Sequence, residues 1–205
     1  MEKFDQEYFF IRRTSDPRRP SLVADDNTEE RIFNSQDQLS GSAPFVFFNS
    51  LKAENIRQKI VGIVPDILFV GTDLVVKESI REKILLQDIP NLHMHPSIYI
   101  DNNENWHEDY WYLNFTQRFD CWDRDLSEYD DEIAPIKIGT DEFREVFTFS
   151  LNDQLLEKTP LSERRLFKMG GTLAATVTCH KSLYSLFNGN GNGKSGANLI
   201  CVSDY

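Results

Sequence analysis

The chain has little that would fix it by covalent chemistry. Its 205 residues include three cysteines, Cys121, Cys179 and Cys201. No two stand at CxxC spacing, so neither a disulfide framework nor a zinc knuckle is indicated, and free thiols in a reducing compartment are the expectation. Basic residues are also scarce: 22 Lys and Arg face 33 Asp and Glu, a net charge of -11. Nucleic-acid binding needs clustered cations to neutralise phosphate, and the same deficit disfavours anionic membrane surfaces. Long apolar runs are missing too. "IVGIVPDILFV" is interrupted by Pro65 and Asp66 and is about half of the roughly 20 residues that a spanning helix needs. The opening "MEKFDQEYFF" is acidic where a signal peptide is basic and then apolar. These absences predict a cytoplasmic protein that binds neither nucleic acid nor membrane.

What is present suffices for a core. Hydrophobic residues make up 40% of the chain and aromatics 12%, with 15 Phe against 3 Met, so packing should rest on rigid rings rather than flexible thioethers. "EYFFIRR" and "APFVFFN" have strand composition. "SLKAENIRQKIVGIVPD" has helical spacing until Pro65, and "DILFVGTDLVVKESIREKILLQD" reads as strand, turn at Gly71 and helix. In that helix Val76, Ile80 and Ile84 form an apolar stripe, with Lys77, Glu78, Arg81 and Glu82 on the wet side. "PSIYIDN", "DYWYLNFTQRFDCW", "APIKI", "REVFTFSL", "RRLFKM", "LAATVT" and "NLICVSD" carry strand character, with one short helix, "HKSLYSLF". The prediction is a single α+β domain over residues 1–205, with helices mainly in the N-terminal half and a mostly antiparallel sheet in the C-terminal half. A weak subdivision is conceivable near residues 96–105.

Catalytic motifs fail on inspection. Gly191, Gly193 and Gly196 match G-x-G-x-x-G, and "GKS" ends a near-P-loop, but Asn188 stands where the Walker pattern needs Gly. The order is helix, loop, strand, whereas both motifs need strand, loop, helix to aim a helix N-terminus at phosphate. A Gly/Asn-rich connection is the plainer reading. His93 and His95 alternate so as to face one side of a strand, and two imidazoles begin a metal site. Three or four ligands are usual, and the sequence offers no evident third beyond His107 or a carboxylate. Asp123 and Asp125 form a D-x-D too short to carry weight. No Ser/His/Asp order, nucleophile elbow or zinc-protease pattern is present. Neither cofactor nor metal is expected.

Charge is unevenly distributed along the chain. Between residues 101 and 132, eleven acids stand against Arg118 and Arg124, which leaves -9 of the total -11. Such a run is either a solvated loop region or a face that recruits a basic partner. Trp and Tyr among the carboxylates favour recognition, because those rings are enriched at interface hot spots. The candidate partner-binding residues are Asp120, Asp123, Asp125, Glu128, Asp130, Asp131, Trp106 and Trp122. Trp111, Leu113 and Phe115 alternate with Tyr112 and Asn114, so some of the rings nearby belong to the core.

Three pieces in order, "PD" at Pro65-Asp66, "LN…DC.D…S.Y" at Leu113-Asn114, Asp120-Cys121, Asp123, Ser127 and Tyr129, and "ER.LFK" at Glu163-Arg164 and Leu166-Phe167-Lys168, carry a resemblance. The chain after about residue 60 resembles a bacterial family first described as a domain of unknown function and grouped with polymorphic-toxin immunity proteins, in the manner of immunity family eleven. The resemblance implies a cytoplasmic antidote that binds a co-encoded toxin and blocks it without chemistry of its own. The partner would be a toxin or effector with a basic surface. The motif positions themselves could equally be structural, holding turns by side-chain to backbone hydrogen bonds. Rival readings are a metal-dependent enzyme built on His93, His95 and nearby carboxylates, and a general protein-binding adaptor.

Overall fold

A computed structural model describes residues 3–31, 33, 38–189 and 195–205. In the first half, β1 (Tyr8–Arg13), β2 (Leu22–Ala24), α1 (Asp26–Glu30), β3 (Phe45–Asn49), α2 (Lys52–Gln58), β4 (Ile67–Val70), β5 (Asp73–Lys77), α3 (Glu78–Leu85) and β6 (Leu92–Ile100) follow one another. The second half adds β7 (Trp106–Phe115), β8 (Arg118–Phe119), β9 (Glu128–Tyr129), β10 (Ile136–Ile138), β11 (Asp141–Phe143), β12 (Val146–Thr148), α4 (Asp153–Lys158), β13 (Leu166–Met169), β14 (Val177–His180), α5 (Tyr184–Phe187) and β15 (Ala197–Cys201). The contacts fall into two compact units. One comprises Met1–Arg12, Gln117–Ser185 and Leu199–Tyr205, the other Arg13–Thr116 and Leu186–Asn198.

This is a mostly β fold, and the α+β expectation with helices gathered in the N-terminal half is overturned. Strands run through both halves, and the longest helix among the described residues, α3, has eight residues. Two local causes account for the difference. Helix α2 stops where Lys59 turns left-handed at φ 56, well before Pro65, so the apolar run after it leaves regular structure. The segment "ILFVGTDLVV" forms two strands rather than a strand feeding a helix. Gly71 at φ +59 closes a tight turn, and β4 pairs antiparallel with β5, Ile67 opposite Val76 and Val70 opposite Asp73. Nearly every residue of both strands is buried, so neither shows the alternation that marks a half-buried strand. Val76 therefore sits in β5, and the stripe of α3 reduces to buried Ile80 and Ile84.

In the second unit six strands run in the order β2-β3-β6-β7-β5-β4. Its core is a ring cluster of Phe33, Phe45, Phe47, Tyr99, Tyr110 and Tyr112, joined by Leu22, Leu68 and Val75. The edge-on contacts, such as Phe45 on Tyr112 at 5.6 Å and 86°, are those a ring quadrupole favours. The buried Tyr112 hydroxyl donates to Asp73 Oδ2 at 2.8 Å. Burial first, and the Asp73 carboxylate after it, push that hydroxyl's pKa far above its ordinary value.

The first unit holds the five-stranded sheet β15-β1-β14-β13-β8, antiparallel at β1–β14 and β14–β13 and parallel at β13–β8. Phe4, Tyr8, Phe10, Trp122, Phe149 and Phe167 pack with Cys121, Leu151, Leu156, Met169 and Val202. Asp5 is buried beneath them, and its carboxylate accepts from Leu151 N at 2.7 Å and Ser150 Oγ at 3.1 Å.

One glycine of the second unit is fixed by close approach. A Cβ on Gly196, at φ +90, would lie 2.1 Å from the Ile67 carbonyl oxygen, because the neighbouring Ser195 O accepts from Ile67 N at 2.7 Å. Gly139 also has positive φ, +64, but opens onto empty space. Gly196→Ala is expected to cost about 3 kcal/mol or more, and Gly139→Ala about 1 kcal/mol. Urea unfolding midpoints of the two variants check the contrast.

Candidate functional site

The acidic segment begins with an internal ion pair. Arg124 reaches back to Asp120, with Nη1–Oδ1 and Nη2–Oδ2 both at 2.6 Å, and also donates to Trp122 O at 2.8 Å. Its guanidinium lies 3.8 Å from the Trp122 ring centroid, a stacked cation–π contact. The two charged side chains are 40% and 45% exposed, so solvent screening holds the ion pair itself to below about 1 kcal/mol. Space for the fork comes from glycine: a Cβ at Gly171 would meet Arg124 Nη2 at 2.5 Å and Asp120 Oδ2 at 2.6 Å, and one at Gly170 would meet Asp120 N at 2.8 Å.

Beyond the fork the chain turns on its own carboxylates. Asp123 Oδ1 accepts from Asp125 N at 2.9 Å and Leu126 N at 3.2 Å. Asp130 Oδ1 does the same for Glu132 N and Ile133 N, each at 3.1 Å. Ser127 Oγ accepts from Ser150 N at 2.9 Å. The resemblance motif thus falls on framework residues: Asp120 pairs with Arg124, Asp123 holds a turn, Ser127 ties the segment to Ser150, Cys121 is fully buried, and Tyr129 packs edge-on against Trp122 at 5.3 Å. Elsewhere in the motif, Arg164 Nε donates to Thr159 O at 2.8 Å. Asp125, Glu128, Asp131 and Glu132 are exposed and make no ion pair among the described residues.

The two tryptophans of the candidate site part company. Trp122 is 1% exposed and packs in the first unit's core. The cause is its place at an isolated bridge to Leu151, with Arg124 over its face. Trp106 is 60% exposed, but it begins β7 in the second unit, whereas the carboxylates from Asp120 to Asp131 belong to the first.

Other chemical candidates are already engaged. His95 Nε2 lies 3.1 Å from Arg31 Nη2 and 2.9 Å from Ala43 O, and the ring sits tilted at 43° against Phe45, 4.2 Å between centroids. A metal at that nitrogen would have to displace a guanidinium. Among the described residues no group of three His, Cys, Asp or Glu side chains is placed to hold a metal. His93, on the same side of β6, is exposed and borders an open recess of about 370 Å³ with His95, Trp111 and Asn114. Of the Gly/Asn-rich stretch, residues 190–194, and with them Gly191 and Gly193, lie outside the described residues.

One constellation escaped the sequence reading. Ser182 Oγ is 3.0 Å from His180 Nδ1, and His180 Nε2 is 3.6 Å from Glu7 Oε2. The order resembles a nucleophile, base and acid, but His180 Nδ1 also accepts from Ser182 N at 3.2 Å. Its one lone pair caps a helical turn, which leaves a base poorly placed to take the serine proton. Burial pushes the thiols of Cys121 and Cys179 well above the usual range, which keeps both as inert thiols. No helix among the described residues is long and apolar enough to cross a membrane. Comparison with protein-family models and with curated proteins finds no match.

Two outcomes follow from this geometry. Trp122→Ala is expected to cost about 3–5 kcal/mol of stability, and Trp106→Ala to stay within about 0.5 kcal/mol, as read from urea unfolding. Burial, the largest cause at both sites, lowers the pKa of His95 and of His180 from the ordinary 6.5. The unfolded chain then binds more protons near and below pH 6.5, so this stabilisation is complete above that pH and is lost as pH falls through the depressed folded values. Between pH 7 and pH 5 the unfolding midpoint should drop, and a His95→Gln, His180→Gln variant should drop less.

Proposed function

We propose that this chain is a cytoplasmic, non-catalytic immunity protein that binds a toxin or effector bearing a basic surface and neutralises it by occlusion. The observation that carries the reading is local charge. Residues 120–132 hold seven carboxylates against Arg124 alone, and Arg124 is folded back onto Asp120. Asp125, Asp131 and Glu132 project from turns that the segment makes with its own side chains, and Glu128 projects from β9. Carboxylates held in fixed turns accelerate encounter with a cationic surface without first having to be ordered. The family resemblance supplies the toxin as the class of partner. The engagement of His95 by Arg31, and of His180 in a cap, takes support from the enzymatic rivals.

Co-purification with the protein encoded next to this chain's gene, together with rescue of growth when that protein is expressed, tests the proposal. Absence of both binding and rescue overturns it. The variant Asp125→Asn, Glu128→Gln, Asp131→Asn, Glu132→Gln leaves the capping carboxylates of Asp123 and Asp130 in place. It should slow association about tenfold at low ionic strength and flatten the salt dependence, as measured by stopped-flow mixing. Unchanged kinetics would place the contact on another face.

A further inference from the structure

Residues 128–148 form a two-stranded arm of the first unit. Outbound, Glu128 and Tyr129 pair with Thr148 and Val146, and Asp130 N donates to Glu145 O at 3.1 Å. Further out, Ile136, Lys137 and Ile138 pair with Phe143, Glu142 and Asp141 around the turn at Gly139. The return strand is held on its far side, where Arg144 N donates to Gly171 O at 3.1 Å and Leu173 N donates to Arg144 O at 2.9 Å. Among the described residues the outbound strand has no such neighbour, and β10 pairs with β11 alone.

That free edge is apolar. Ile136 and Ile138 lie on one face, 52% and 67% exposed, and Ile133 just before them is 62% exposed. The opposite face carries the Lys137–Glu142 ion pair at 2.6 Å. A two-stranded ribbon is marginal in water, and an exposed apolar edge, even one of three residues, can take a third strand. Charge selects which one. Seven acids and two bases occupy residues 128–148, a net -5, and Lys137 and Arg144 are the two bases.

Resting on the reading of a basic protein partner, we propose that β10 is a docking edge for an extended segment of that partner. The segment alternates apolar with basic side chains, pairs its backbone along β10, covers Ile136 and Ile138, and sets Lys or Arg against Asp131 and Glu132.

Two probes test this, both read by fluorescence anisotropy. The first is a short acetylated peptide of alternating isoleucine and lysine; the second is the protein encoded by the neighbouring gene. Wild-type chain should bind the peptide, more weakly as salt rises, and Ile136→Ser, Ile138→Ser should lose about tenfold or more in affinity. The single variant Ile138→Lys, at the more exposed position, should lose at least as much while its circular dichroism stays that of the wild type. Peptide binding that the variants weaken supports the docking edge even if the neighbouring protein fails to bind, which sinks the immunity reading alone. A neighbouring protein that binds wild type and both variants equally overturns the edge and leaves the immunity reading standing. Peptide that fails to bind, or binds the variants as well as wild type, also overturns the edge. So does self-association of the chain that the same variants abolish, which would assign the edge to a second copy.

Discussion

The position of the acidic segment depends on one guanidinium. Arg124 is held between the Asp120 carboxylate and the face of the Trp122 indole, and it is the one base among residues 120–132. Were it extended into solvent, it would offset a neighbouring carboxylate and blunt the field. Folded back, it neutralises only Asp120. The fork fits because Gly170 and Gly171 carry no Cβ, and Gly171 holds a φ of +65 that other residues rarely adopt. The bulk of Trp122 below supplies the stabilisation, since exposed ion pairs contribute little and a buried indole contributes much. Electrostatic placement here is a by-product of apolar packing.

Charge that is continuous in sequence is divided in the fold. The run from 101 to 132 crosses between the two units after Thr116, and the units carry 17 acids with 11 bases and 16 acids with 11 bases, net -6 and -5. Asp101 shows what the second unit does with its share. Its carboxylate accepts from Asn103 N at 2.8 Å, Asn105 N at 3.0 Å and Asn105 Nδ2 at 3.1 Å, and it lies 3.1 Å from His107 Nε2. These hydrogen bonds outweigh the opposing effect of its burial, and its pKa falls to about 2. That carboxylate holds a turn; the side chains of Asp125, Glu128, Asp131 and Glu132 make no ion pair among the described residues.

Legibility followed the kind of burial each residue meets. "DYWYLNF" was readable as a strand because aromatic content and alternation agree. "ILFVGTDLVV" was not, because burial on both faces erases the period that separates strand from helix. The burial of Trp122 was not legible, because carboxylates on both sides make a tryptophan look like a surface anchor. Nothing local announces that Arg124 will cover its ring, or that Leu151, far along the chain, will pair beside it. The turn-closing role of Asp123 was half legible, since Asp at such spacings often closes turns, but the choice between turn and contact needed the bond partners. Ile136 and Ile138 were legible as a strand, "APIKI", and their exposure was not, because it depends on which neighbour the strand lacks.

That missing neighbour ties the two features of the first unit together. An exposed edge bearing two isoleucines is a hazard, since identical edges pair with one another. Here Asp131 and Glu132 precede the edge and Asp141 and Glu142 follow the turn, so two copies brought edge to edge would set like charges against like. The same carboxylates leave the edge open to a cationic strand, for which repulsion becomes attraction. Selectivity then comes from the penalty on the wrong partner as much as from attraction to the right one. Charge governs which segments approach, and the isoleucines govern how long one stays, because the association rate responds to long-range fields and the dissociation rate to desolvated contact.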